Sequence, residues 1–329
     1  MALLLLLLLP AAQGLAAPKN RVSQCTMTLL LLLLLPAAQG LAAPKNRVRG
    51  KALLRKRGGL LQPSVVDEQA PAQAPVQAPA PPPVAVVDEA ARAALRAATS
   101  VEVLGVSGRN TASLLLDGRE VAYDTTTLCQ RDDEAVWLEV RRHLDLTASE
   151  FDAARDRYRF ASRADVLARK ARLPSAPPPF RGNEATRFGL KHEPRAVEDY
   201  ARATGAAVSP TGLWTLGGFG ASPDGLVVDA AGSHGLLEVK TSFAKRHKAH
   251  HGPFTKCPRR FYAQIQGQLA VCDREWCDLV SWIPRNSQRP NFAVLRVHRD
   301  RDFWDAELRP ELDRFAADLA ALRRLPAAA

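Results

Sequence analysis

The second half of the chain alternates short apolar runs, bounded by glycine or proline, with longer amphipathic stretches. Short runs of this kind are typical of strands, and apolar positions that recur every three or four residues are typical of helices. The expected strands lie at 213–216, 226–228, 236–241, 278–283 and 292–297, and the expected helices at 183–204, 259–271 and 302–325. The alternation predicts an α/β domain with a mixed central β-sheet flanked by helices.

The first 61 residues form a leader that contains nearly the same segment twice, at 1–22 and 27–48. Each leucine run is too short to span a bilayer, which takes roughly 20 apolar residues. No acidic residue occurs before Asp67, whereas lysine and arginine recur. Such a leader is typical of organelle targeting, to the mitochondrion or plastid, and is expected to be disordered or removed. A secretory signal, or a cytoplasmic or nuclear protein whose leader has no targeting role, remains an alternative.

Proline, alanine and glutamine dominate residues 62–87, which predicts an extended, semi-rigid linker. The folded domain is expected over 88–329, with its core at about 130–325. Between the linker and the core, alternating apolar and polar residues at 101–124, centred on Asp117-Gly118, predict a β-hairpin. Helices are expected at 134–143 and 148–172.

The chain carries a net charge of +11, which favours an anionic partner such as nucleic acid or an acidic membrane surface. Its five cysteines include no CxxC pair, which argues against a disulfide framework and against a zinc site. Cationic and histidine residues are dense at 245–260, and a loop of this composition suits the phosphates of a nucleic-acid backbone. The candidate phosphate contacts in it are Lys245, Arg246, Lys248, Arg259 and Arg260.

Two short motifs carry the chemistry of this chain. Pro223-Asp224-Gly225 makes a turn before an apolar run, so Asp224 is expected at the start of a strand. In Glu238-Val239-Lys240, residues two apart point to the same face of a strand, so the carboxylate and the amine lie together. Either motif alone is usually an ordinary turn or a solvated strand. Together they predict a site for a hard divalent cation, Mg²⁺ or Mn²⁺.

In this combination the residues resemble the PD-(D/E)XK nuclease signature, and more narrowly the YqaJ-type viral recombinase and lambda-exonuclease family. The resemblance extends to Phe188–Glu193, similar to a G-x-x-x-E helix, and to Phe261–Gln266, similar to a Y-x-Q-x-Q helix. Upstream, Trp137–Arg142 and Thr147–Ser149 are similar to the W-x-x-x-R and T-A-S segments of the family. The resemblance covers about 130–312 and implies a restriction-endonuclease-like core.

The resemblance also implies roles for individual residues. One or two Mg²⁺ or Mn²⁺ ions would be held by Glu193, Asp224, Glu238 and the carbonyl of Val239. Lys240 would position or deprotonate the attacking water, and Gln264 would support it. Ser149, Ser222 and either Arg141 or Arg142 would bind the 5′ phosphate. Both arginines stay open because the spacing to Ser149 is one residue longer than the family pattern.

The function implied by the resemblance is a Mg²⁺-dependent 5′–3′ exonuclease on double-stranded DNA ends, in recombination, repair or DNA turnover. The resemblance also implies a homo-oligomer, a trimer. An endonuclease or single-strand nuclease on the same site is an alternative, and a catalytically silent DNA-binding protein is another. Clustered carboxylates argue against the silent protein because they repel phosphate. The sequence holds no G-x-x-x-x-G-K-[ST] loop for ATP.

Overall fold

The computed structural model describes residues 66–68, 89–178, 180–243, 253–284 and 291–325. The leader at 1–61 and most of the linker lie outside these residues, so targeting and linker stay predictions. Among the described residues, no helix combines the length and the apolar composition needed to cross a bilayer.

A six-stranded mixed sheet forms the centre of the domain. Its strands in chain order are β1 (Val66–Glu68), β6 (Ala207–Ser209), β9 (Gly225–Val228), β10 (His234–Thr241), β11 (Trp276–Ile283) and β12 (Asn291–His298). The spatial order is β1–β12–β11–β10–β9–β6. The pairs β1–β12 and β10–β11 are parallel, and the pairs β12–β11, β10–β9 and β9–β6 are antiparallel. The α/β class with a mixed central sheet is therefore confirmed. Strand β1 falls inside the predicted linker, where an extended backbone pairs with the edge of β12.

Two three-stranded sheets accompany the central one. Their strands are β2 (Val101–Ser107), β3 (Thr111–Leu116) and β4 (Arg119–Asp124) in one, and β5 (Leu146–Thr147), β7 (Trp214–Leu216) and β8 (Phe219–Ala221) in the other. The hairpin predicted at 101–124 is wrong in its number of strands. The turn at Asp117-Gly118 joins β3 to β4 as expected, but a second turn joins β2 to β3, so the segment has three strands. Asn110 adopts a left-handed conformation in that second turn, and asparagine tolerates it better than most residues.

The helices flank these sheets. They are α1 (Glu89–Ala97), α2 (Glu134–His143), α3 (Phe151–Ala154), α4 (Arg163–Lys170), α5 (Glu184–Thr204), α6 (Arg259–Cys272) and α7 (Arg309–Arg324). The single helix predicted at 148–172 is wrong, because Asp156 adopts a left-handed conformation after α3 and Ser162 caps a new helix. The helix predicted at 302–325 begins as a π-helical turn, Phe303–Leu308, before Pro310, which cannot donate a backbone hydrogen bond.

Helix α5 is fixed to the central sheet by two polar contacts in its second half. The indole nitrogen of Trp282 on β11 donates to Asp199 at 2.9 Å. The hydroxyl of Tyr200 donates at 2.7 Å to Asp278, whose carboxylate also accepts from Arg296 on β12. Buried polar groups are almost always hydrogen-bonded, so these contacts fix the position of α5 on the sheet.

Two helical glycines provide a matched test of the packing. A Cβ at Gly267 of α6 would lie 2.3 Å from the ring of Phe151, whereas a Cβ at Gly189 of α5 would approach only the Thr241 hydroxyl, at 3.6 Å. We expect Gly267→Ala to lower the free energy of unfolding by about 1–3 kcal/mol through overpacking. Gly189→Ala should raise it by roughly 0.5–1 kcal/mol, as for glycine in an open helix. Urea denaturation measures both, and equal effects would contradict the packing described for α6.

Candidate active site

Asp224 lies in the turn that leads into β9 and is tied to β10 by two hydrogen bonds. Its backbone N–H donates to the carbonyl of Leu237 at 2.9 Å. Its carboxylate accepts from the backbone N–H of Val239 at 2.6 Å. Pro223, with its fixed φ, stiffens the turn. The carboxylate of Asp224 is thereby held beside the middle of β10, where Glu238 projects.

Glu238 is a buried carboxylate with hydrogen-bond donors on both oxygens; its residue is 3% exposed. Its Oε1 accepts from the Lys240 ammonium and from Nε2 of Gln264, the latter at 2.8 Å. Its Oε2 accepts from Nε2 of Gln268 at 2.7 Å. Lys240 shares the strand face of Glu238, and both glutamines lie one turn apart on α6. Strand and helix together supply the partners that a buried carboxylate requires.

Glu193 reaches the site from α5. It is followed by Pro194, which lacks an amide hydrogen and so removes one intrahelical hydrogen bond at this point. The Glu193 carboxylate lies 3.3 Å from the guanidinium of Arg131, an exposed residue just before α2. Burial raises the pKa of Glu193, and the Arg131 charge opposes that shift.

The carboxylates repel one another. Burial raises the pKa of Asp224 well above its usual range, and the negative charges of Glu238 and Glu193 raise it further. Burial alone would lower the pKa of Lys240, but the carboxylates of Glu238 and Asp224 outweigh it, so that this pKa is raised. The excess of negative charge at the site thus adds to the effect of burial at Asp224 and overcomes it at Lys240.

The donor set consists of carboxylate oxygens, which are the ligands that Mg²⁺ and Mn²⁺ prefer. A divalent cation would relieve the repulsion that raises the pKa of Asp224. The predicted metal ligands are nevertheless assembled only in part. In the part of the chain that the structure describes, no three His, Cys, Asp or Glu side chains stand close enough to form a ready metal site. The reason is that Glu193 faces Arg131, while Glu238 faces Lys240 and the two glutamines.

The two arginines proposed for the 5′ phosphate occupy different surroundings. Arg141 is largely buried, stacks on the Trp137 ring at 4.3 Å, and donates to the Thr147 hydroxyl at 3.3 Å. That hydroxyl lies 3.2 Å from the hydroxyl of Ser149. Arg142 is exposed and pairs with Glu139, one turn earlier on the same helix. The structure therefore brings Arg141, and not Arg142, together with Ser149. Ser222, two residues before Asp224, bonds weakly to the Gly212 carbonyl at 3.4 Å.

The basic loop is described only at its end. Lys245, Arg246 and Lys248 lie outside the described residues, so their role stays a prediction. Arg259 and Arg260 are the first two residues of α6 and both are exposed. The Phe261 ring is close to two cations, 4.6 Å from the guanidinium of Arg260 and 4.9 Å from the Lys240 ammonium.

Two residues of the site are missing from the sequence-based set. Gln268 could have been found from its spacing, because it lies four residues after Gln264 and therefore on the same helix face. Arg131 carries no such signal, since it lies in a turn more than sixty residues from its partner Glu193.

Replacing Gln268 with leucine tests whether the second oxygen of Glu238 must be held. The change leaves that oxygen buried without a donor, which should lower the free energy of unfolding by about 1–3 kcal/mol. Gln266→Leu is the matched control, because Gln266 is equally buried on α6 but bonds the His298 carbonyl and the Asp300 amide instead. Both variants should lose stability, while only Gln268→Leu should weaken Mn²⁺ binding in calorimetric titration. Equal Mn²⁺ affinities in the two variants would contradict this role for Gln268.

Comparison with known proteins identifies the domain. A family model described as YqaJ-like viral recombinase domain matches residues 136–275. The crystal structure of the alkaline exonuclease LHK-Exo from Laribacter hongkongensis is 33% identical over 53% of this chain and 87% of that chain, with a TM-score of 0.42. LHK-Exo in complex with dAMP is 31% identical over 57% of this chain and 93% of that chain, with a TM-score of 0.45.

A phage-related exonuclease from Haemophilus somnus is 15% identical over 55% of this chain and 93% of that chain, with a TM-score of 0.41. No curated protein matches the sequence. The matched segment 136–275 contains every candidate catalytic residue from Glu193 to Gln264, as well as Arg141 and Ser149. The resemblance and the restriction-endonuclease-like α/β core that it implies are thus confirmed, and through residues 136–275 the chain belongs to the YqaJ-like viral recombinase family.

Proposed function

We propose that this protein is a DNA nuclease that requires divalent metal ions and acts as a 5′–3′ exonuclease on double-stranded ends. The nuclease class follows from the family. The observation that carries the mechanism is the buried carboxylate of Glu238, which is held by Lys240 and Gln264 beside Asp224. Such a group of side chains can bind a cation and stabilise charge on a phosphodiester.

The metal ligands in this proposal are Glu193, Asp224, Glu238 and the Val239 carbonyl, and the ions are one or two Mg²⁺ or Mn²⁺. When bound, such ions lower the pKa of water and stabilise the leaving oxygen of a phosphodiester. The excess negative charge at the site supports this proposal, because divalent cations would neutralise it.

Lys240 and Gln264 act on the substrate side of the site. The Lys240 ammonium donates to both Glu238 and the Gln264 side-chain oxygen, the latter at 3.3 Å. It can therefore exchange one of these acceptors for a phosphate oxygen and stabilise the charge that develops there. Gln264 bonds both Glu238 and Lys240, so it keeps the carboxylate and the ammonium in a fixed relation.

An end-specific activity is supported by the cluster of Arg141, Thr147 and Ser149. A terminal phosphate carries more charge than an internal one, and a guanidinium flanked by hydroxyls recognises it by charge-assisted hydrogen bonds. The turn that carries Ser149 packs against α6, the helix that carries Gln264. Ser222 lies on the same rigid turn as Asp224, so a phosphate held there would have a defined position relative to the cleavage site.

Two other functions are compatible with parts of the site. An endonuclease or single-strand nuclease would use the same carboxylates without the Arg141 cluster. A catalytically silent DNA-binding protein would gain nothing from a buried carboxylate that repels phosphate. The exonuclease accounts for both groups of residues. Recombination, repair or DNA turnover would each use such an activity.

Asp224→Asn and Lys240→Ala test the catalytic assignment. Asp224→Asn removes a carboxylate that would hold the metal ion, and Lys240→Ala removes the positive charge that would stabilise the reacting phosphate. We therefore expect the Mg²⁺-dependent rate on linear duplex DNA to fall at least 10²-fold, as roughly expected for one preorganised group. Arg119→Gln, on the exposed face of β4, is the control and should keep the full rate. Thermal unfolding verifies the fold of each variant. Full activity in a folded Asp224→Asn protein would overturn the assignment.

Arg141→Gln and Arg142→Gln test the recognition of the end. The substrates are linear duplexes with 5′-phosphate or 5′-hydroxyl ends, and a closed circular duplex. Arg141→Gln should remove the preference for the 5′ phosphate, because it loses the guanidinium beside Ser149, whereas Arg142→Gln should keep it. Cleavage of the circle by the unmodified protein would favour the endonuclease.

A further inference from the structure

A cavity of about 770 Å³ lies beside the first turn of α6. Its walls are the first turn of α6, helix α3 with the turn that follows it, and the π-helical turn 303–308. Pockets of this size hold small organic ligands in other proteins. None of the residues assigned to the metal site lines this cavity, so its ligand would be bound by a different set of side chains.

The cavity walls are predominantly cationic. Four arginines line it, against the two carboxylates of Asp152 and Glu307; the arginines are Arg155, Arg157, Arg259 and Arg260. Among the described residues, neither Arg259 nor Arg260 forms an ion pair with a carboxylate. The two also open α6, whose first turn contains no acidic residue and whose cap, Pro258, provides no side-chain acceptor. The positive end of the helix dipole therefore adds to two arginines at this wall.

One of the four arginines, Arg155, is buried and does not have a hydrogen-bond partner for every N–H group. The Arg155 side chain is 2% exposed, and its Nε donates to Glu311. One terminal nitrogen of its guanidinium is buried and has no hydrogen-bond partner. The Glu307 carboxylate lies 3.8 Å from that nitrogen, which is too far for a hydrogen bond. A buried guanidinium N–H without an acceptor is unfavourable, and an anion in the cavity would supply one.

Aromatic rings form another part of the wall. Tyr262 and Phe303 both line the cavity and pack edge to face, with their centroids 5.0 Å apart. The Tyr262 hydroxyl donates to Asp300 at 2.8 Å, which fixes the ring. Flat apolar surfaces beside several guanidinium groups suit a ligand with an aromatic base and a phosphate.

The cavity is connected to the active site through one ring. The Phe261 ring lies 4.6 Å from the guanidinium of Arg260, which lines the cavity, and 4.9 Å from the Lys240 ammonium of the active site. A phosphate bound near Arg260 would therefore lie within about two side chains of the catalytic lysine. This distance is short enough for a neighbouring nucleotide of the same strand or for a nucleotide that has just been released.

We propose that this cavity is a second phosphate site, separate from the Arg141 cluster, which binds a nucleotide through Arg155, Arg157 and Arg259. The phosphate belongs either to the strand that passes α6 or to a free 5′-mononucleotide. The inference deepens the proposed function by adding a substrate or product subsite to it. The binding itself requires no metal and no cleavage.

The test is a calorimetric titration of the full-length protein in EDTA, carried out in an Arg141→Gln background that disables the other phosphate site. The probes are deoxythymidine monophosphate, inorganic phosphate and a 5′-hydroxyl oligonucleotide. We expect one site for the mononucleotide. The double variant Arg157→Gln/Arg259→Gln should bind the mononucleotide roughly tenfold or more weakly, because two charge-assisted contacts are lost. Both residues are exposed, so the variant should fold, and Arg119→Gln is the matched charge control.

The probes separate the two sources of the phosphate. A loss of mononucleotide affinity in the double variant supports a site for the free nucleotide. A loss confined to the oligonucleotide supports a site for the strand. Unchanged affinity for all three probes, or an equal loss with Arg119→Gln, overturns the proposal. Because the titration contains no metal and follows no cleavage, it can fail while the nuclease assignment stands, and the reverse also holds.

Discussion

Taking the carboxylate of Glu238 out of water costs free energy, and the architecture around β10 supplies the donors that offset this cost. The carboxylate sits in the middle of a central strand, so its partners have to come from that strand or from the helix that covers it. Lys240 comes from the strand, and Gln264 and Gln268 come from α6. The close packing of α6 against α3, where Gly267 contacts Phe151, helps to hold these two glutamines in place.

The second carboxylate, Asp224, is held by main-chain bonds to the same strand, and the third, Glu193, comes from α5. Helix α5 is itself anchored by Asp199 and Tyr200, two residues on the sheet side of its second half. The three carboxylates are thus held by three different elements. Glu238 lies on a buried strand, Asp224 in a stiff turn and Glu193 on an anchored helix. Their mutual repulsion is a property of the folded state and would be absent in the extended chain.

The local parts of this arrangement could be predicted from the sequence. Strand alternation indicates that Glu238 and Lys240 share a face, and the Pro223–Gly225 turn indicates the place of Asp224. Tertiary contacts could not be predicted in this way. Arg131 meets Glu193 only because the fold brings a distant turn to α5, and the separation of Arg141 from Arg142 depends on which face of α2 is buried. The break within 148–172 cannot be predicted from periodicity, because it depends on the left-handed conformation of Asp156.

The parallel pairing of β10 with β11 governs when the site can first exist during synthesis. Glu238 pairs in register with Leu279, and α6 spans the crossover between them. Gln266 on α6 also bonds His298 and Asp300, near the far end of β12. Until residues 298 and 300 have been synthesised, Gln266 lacks both of the partners that tie α6 to the end of β12. The helix that supplies Gln264 and Gln268 to Glu238 is thus fully anchored only when the domain is nearly complete.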